Sequence, residues 1–199
     1  MRWLSVEYVD TEDRDAEPFT EPAFFIEEDW EVAERHGMET LDVPRVELAD
    51  LDTREVALSS LFQMMIANVD WAATEAAPDE EDCCHNGKPI GSAGHGVIVL
   101  PYDFDQSGLV DAAYATPMLD LRRVRQRRYR GYCVANGELD WAVQRFDDQR
   151  AAIEHIFDAD TIDERTRRRT LDYIAEFYEI IDDPNARQRE IVTECRGPG

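Results

Sequence analysis

Lysine is almost missing from this chain: Lys88 is the only one among 21 lysines and arginines in 199 residues. A bias of that kind follows from GC-rich coding or a saline habitat and carries little chemistry by itself. Cysteine is scarce too, at four residues, too few for a fold held up by a disulfide framework. Cys83 and Cys84 are adjacent, a spacing unsuited to zinc. Cys133 and Cys195 each sit beside a conformational stop and are expected to pair in an oxidising compartment. No run of about eighteen apolar residues occurs, so a membrane-spanning helix is not expected. The opening decapeptide MRWLSVEYVD has one arginine and a short alternating segment, where an export signal has an apolar core and a small-residue cleavage site. The expectation is a soluble chain with no membrane partner, cytoplasmic as it stands and exported if a signal segment precedes it.

Positive charge is also in deficit. The formal net charge is −23, and its field repels nucleic acid and anionic lipid. At 43% hydrophobic content the chain can bury one full core.

What is present begins with alternation. WLSVEYV and AFFIEE read as two strands of a hairpin with a long connection. DWEVAERHG reads as a short helix capped by Asp29 and stopped by Gly37. DTREVALSSLFQMMIAN has Asp52 as N-cap, Glu55 three residues on, and a broad apolar face from Val56 to Ile66. Residues 68–96 read as a loop, 97–100 as a strand, and 111–137 as irregular. Leu139 to Ile156 reads as an amphipathic helix. A second starts at a Thr161/Glu164 capping box, and a short one falls near 185–194. The class is α+β, a small β start before a mostly helical body.

The chemistry concentrates between the first long helix and an arginine-dense segment. ANVDW carries Asn68 and Asp70 just past the helix end, and Asn68 doubles as a candidate C-cap. His85 and Asn86 lie across the acidic loop, with His85 read as loop structure. The run VIVLPYDFDQSG then ends a strand on Asp103 and Asp105. An Asp-x-Asp there serves either a turn or a divalent cation. Helix, Asp loop, Asn, strand and Asp is the order in which kinase-like lobes set out a catalytic aspartate and two magnesium ligands. Magnesium takes hard oxygen ligands, one or two carboxylates with substrate phosphates.

At these residues, NVDW…HN…VLPYDFDQSGLVDAAYA, the chain resembles the CotH-type and HipA-type atypical kinases. It is closer to a bacterial family with the pattern N-T-D-W…H-N…P-Y-D-F-D-x-S-G-L-V, and the resemblance spans nearly the whole chain. It implies a protein-kinase-like C-terminal lobe over residues 38–199 and an N-lobe remnant with hinge over 1–37. It implies Asp70 as catalytic aspartate, Asn86 and Asp103 as metal ligands, and Asp105 as a second ligand or turn residue. Phe25, Ile26 and Glu27 would lie against an adenine ring. The cofactors implied are Mg2+ and ATP, with phosphate passed to a hydroxyl of a protein or small molecule. The alternatives are a pseudokinase or interaction module, and a metal-dependent phosphoesterase. Relatives carry strands ahead of the position of Met1, and the usual phosphate-binding lysine has no counterpart here, so either an arginine takes that role or, the favoured expectation, the chain is a fragment that alone binds ATP weakly or not at all. The arginines from Arg122 to Arg130 read either as a solvated face or as an anchor for an acidic phospho-acceptor; RTRRRT at 165–170 reads as plain helix surface.

Overall fold

The computed structural model describes residues 2–12, 16–78, 80–92, 95–159 and 162–198. The alternating segments form an antiparallel hairpin, β1 (Arg2–Tyr8) with β2 (Phe19–Phe25), Leu4 facing Ala23 and Tyr8 facing Phe19. Four of its aromatic residues stay out of the core. Tyr8, Phe19, Phe24 and Phe25 are all about half exposed or more, and the Tyr8 and Phe19 rings stack on one another instead.

The helix α1 (Asp29–Arg35) begins one residue earlier than Asp29 suggests. Glu28 is its N-cap, and the Glu31 carboxylate reaches back to the Glu28 N–H at 3.3 Å in a reciprocal capping box. Gly37 ends it at φ +68°. The helix packs against β3 (Glu39–Thr40) and β4 (Gly87–Ser92), and so joins the body of the fold. Those two strands and β5 (His95–Pro101) make an antiparallel sheet in the order β3-β4-β5. Only β5 is evident in the sequence. Pro89 and two glycines make GKPIGS read as loop, yet β4 is the middle strand. The proline fits because the Pro89 carbonyl faces the β3 edge, where it accepts from the Leu41 N–H at 3.0 Å. Its absent N–H faces the same edge, where β3 is only two residues long.

α2 (Thr53–Met65) is the centre of the core. The Asp52 carboxylate accepts from the N–H groups of Arg54 and Glu55 at 3.0 and 3.1 Å, as expected. Ala57, Leu61 and Met64 are fully buried. α3 (Leu139–His155) and α4 (Glu164–Asp182) pack on it through Phe146, Phe177 and Tyr178, whose rings meet edge to face. The cap of α4 is Asp163, which accepts from Arg165 and Thr166 at 3.0 Å each; Thr161 lies outside the described residues. α5 (Pro184–Arg187) runs into a π turn over Gln188–Val192.

Both cysteine pairs are disulfides. Cys133 and Cys195 are joined with Cα atoms 5.0 Å apart, as the sequence suggests. Cys83 and Cys84 are bonded to each other, which adjacency alone did not reveal. Around Cys195 the chain end is clasped to the body: Cys133 N–H donates to the Arg196 carbonyl, and Arg196 N–H to the Gly131 carbonyl. Gly131 must be glycine, since a Cβ there would lie 2.2 Å from the buried Tyr129 ring and 2.7 Å from Ser60.

Candidate functional site

Three loops meet at the end of α2. The helix stops where Ala67 turns left-handed at φ +51° and Asn68 N–H returns to the Gln63 carbonyl at 2.8 Å. Ala67, then, takes the left-handed cap position considered for Asn68. Asn68 is fully buried and its Oδ1 accepts from the Asp70 N–H at 2.9 Å, which fixes the Asp70 backbone. The loop after Asp103 docks on the same helix end: Gly108 N–H donates to the Ala67 carbonyl and Leu109 N–H to that of Ile66. Gly108 permits this, because a Cβ would sit 2.7 Å from Arg125, Val124 and Tyr173 atoms. The third loop is a tight turn closed by paired hydrogen bonds between Cys84 and Gly87, with His85 and Asn86 at its tip. The Asn86 carbonyl accepts from the Tyr102 N–H at 3.2 Å, which sets Asn86 beside the residue that precedes Asp103.

Both proposed metal ligands hold left-handed backbone, Asn86 at φ +51° and Asp103 at φ +55°. Among residues with a Cβ, Asn and Asp tolerate that region best. Asn86 Nδ2 donates to the Asp70 carbonyl at 2.7 Å and to its Oδ2 at 3.2 Å, leaving the Asn86 Oδ1 as an acceptor for a cation. His85 Nε2 lies 2.6 Å from Asp70 Oδ1. Asp70, expected as a catalytic aspartate, is thus already hydrogen-bonded, and His85 is more than the loop structure the sequence suggests. Short hydrogen-bonded turns bring the two side chains together across fifteen residues. The adjacency of His85 to Asn86 was the signal available in the sequence.

Electrostatics mark the same place. Partial burial raises the Asp103 carboxyl above the ordinary range, and the charges of Asp105 and Asp70 add to it. The Asp105 charge, with a hydrogen bond, raises the exposed Tyr114 hydroxyl. Arg130 sends Nη1 to the Val69 carbonyl, and burial, with Arg196 nearby, brings its pKa down to about 10. Among the described residues no three acids, histidines or thiols converge closely enough to enclose a metal ion alone. The donors on offer are one amide oxygen and neighbouring carboxylates. That set suits magnesium, which draws part of its coordination from substrate phosphates.

The other named residues lie elsewhere. Phe25 and Ile26 are exposed between β2 and α1, and Glu27 pairs with Arg35 at 3.0 Å. Lys88 is exposed on β4, with its ammonium 5.5 Å from the Tyr102 ring. Of the six arginines from Arg122 to Arg130, four are bonded within the protein: Arg125 to Gly108, Arg127 to Tyr173 and Glu176, Arg128 to Asp120, and Arg130 to Val69. Arg122 and Arg123 remain exposed. No family model, curated protein or solved structure matches the chain.

Proposed function

We propose that the chain is a kinase-like phosphotransferase that uses Mg-ATP and a hydroxyl acceptor. The observation that supports this reading most is the hydrogen bonding of Asn86 to Asp70, with Asp103 next along the chain from Tyr102, whose N–H donates to the Asn86 carbonyl. When bound, magnesium would neutralise nucleotide phosphates, held by the Asn86 Oδ1 and the Asp103 carboxylate with Asp105 beside it. Asp70 would orient the acceptor hydroxyl and take its proton. His85 would hold the Asp70 carboxylate in place. A second reading, a phosphoesterase, is favoured by one contact: an Asp–His pair at 2.6 Å can equally orient water. Two disulfides support residence in an oxidising compartment, the exported alternative.

Titration calorimetry and product analysis test this. Magnesium-dependent ATP binding, weak for this chain, should fall about tenfold or more in Asp103→Ala. Asp70→Asn should bind nucleotide and lose at least about a hundredfold in turnover. Phosphorylated acceptor identifies a transferase, free phosphate a hydrolase, and binding without turnover a pseudokinase. ATP binding indifferent to magnesium and to Asp103→Ala would sink the nucleotide reading.

A further inference from the structure

Outside the Asp70 site, two helical faces line one groove. On α2, Leu58, Phe62 and Met65 recur at helical spacing, and on α3 Phe146 and Ile153 do the same, with Ile156 just past its end. Together they wall an apolar groove of about 1090 Å3, with Ile98, Leu100 and Phe104 on its third side. The α2 wall runs from Glu55 to Ile66 and the α3 wall from Arg145 to Ile156. Each covers eleven steps, about 17 Å of helix. The rim is apolar as well: Phe24, Val110 and Ile156 line the groove and are 50%, 56% and 65% exposed. A continuous apolar patch of this kind marks an interaction site.

We infer that this groove receives one amphipathic helix of a partner protein, apolar at i, i+3 or i+4, and i+7, and basic overall. Its shape favours a helix over a small amphiphile. The volume lies at or above the top of the range for small-molecule sites, about 300–1,000 Å3. An acyl chain along the floor would leave the rim in water, whereas a helix of about three turns matches both walls in length and covers the rim. Charge decides the partner's sign. The chain carries −23, which draws a basic segment and repels an acidic one. Among the residues that line the groove, Glu55 stands on the α2 wall and Arg145 on the α3 wall. The partner helix therefore sets one basic residue against Glu55 and one acidic residue against Arg145. This inference stands apart from the nucleotide reading and survives its failure.

The test uses a fluorescent synthetic peptide of about eighteen residues, with leucines at helical spacing, lysines elsewhere and one glutamate. The control is its isomer with the leucines scrambled, identical in charge. The 199-residue chain should bind the amphipathic peptide saturably in the micromolar range and the isomer at least about tenfold more weakly. Val110→Asn and Ile156→Asn alter exposed rim positions without changing the charge, and each should weaken the amphipathic peptide about fivefold. Equal affinity for the two isomers would reduce the effect to net charge and overturn the inference. So would an affinity unchanged in both variants, absence of saturable binding, groove occupancy by palmitate in preference to the peptide, or self-association of the chain through this face in sedimentation velocity.

Discussion

The two arginine-rich segments look alike in sequence and do opposite work. Residues 122–130 form an irregular stretch, where the loops and helix ends around it leave carbonyls without helical partners. Arginine forks fill that need: Arg127 reaches the carbonyls of Met65 and Tyr173, Arg125 that of Gly108, Arg128 that of Leu119 and Arg130 that of Val69. Residues 165–169 open α4, whose backbone is already satisfied, so Arg165, Arg168 and Arg169 extend into water and Arg167 pairs with Asp158. The density of charge is high in both. The state of the backbone beneath decides whether a guanidinium becomes framework or surface. Lysine, a point charge without the fork, cannot replace arginine in the first segment.

Three measurements break or sharpen that contrast. Arg127 is the sharpest case, with its side chain 7% exposed, its guanidinium 3.6 Å from the Tyr173 ring centre and Glu176 at 2.8 Å. Arg127→Ala should cost about 3 kcal/mol in denaturant unfolding, because it strands two carbonyls and a packed ring. A loss under about 0.5 kcal/mol would place the segment with ordinary surface.

Alkali should find the same segment next. Burial raises the Tyr129 hydroxyl to about 12, while an unfolded tyrosine titrates near 10. Its contribution is fully present below about pH 10 and is lost as pH climbs to about 12, since only the unfolded chain releases the proton there. Arg130, brought down to about 10, moves the other way over that range, because its unfolded guanidinium keeps a proton that the folded one gives up. The difference between wild type and Tyr129→Phe isolates the phenol and should change by about 2–3 kcal/mol between pH 10 and 12. A flat difference would show that the ring is wet. The smallest effect belongs to the other segment: Arg168→Ala should stay within about 0.5 kcal/mol of wild type at any salt concentration.

Much of this molecule was legible where one local rule decides. The hairpin, α2 with its Asp52 cap, and the amphipathic faces of α3 and α4 follow from alternation and helical spacing. β4 was not legible, because Pro89 and two glycines say loop and only the short β3 edge makes them acceptable. In the candidate site, Asp70, Asn86 and Asp103 are named from chain order together with a family resemblance, and the hydrogen bonds between Asn86 and Asp70 are what the fold adds. The His85–Asp70 pair could not be foreseen, since it depends on how tightly the Cys84–Gly87 turn folds back. Nor could the inward arginines, whose partners lie up to 62 residues away.

The clasp at the chain end has a mechanical consequence. The Cys133–Cys195 bond closes α3, α4 and α5 into a covalent ring, its two ends 62 positions apart in the sequence. A force applied to the two termini passes across the disulfide and never pulls along that ring. Stretching the oxidised protein would leave about 220 Å of contour hidden, and reduction would release it in one further extension. α3, α4 and α5 are thus shielded from tension, while the hairpin, α1, α2 and the loops around Asp70 carry the full load.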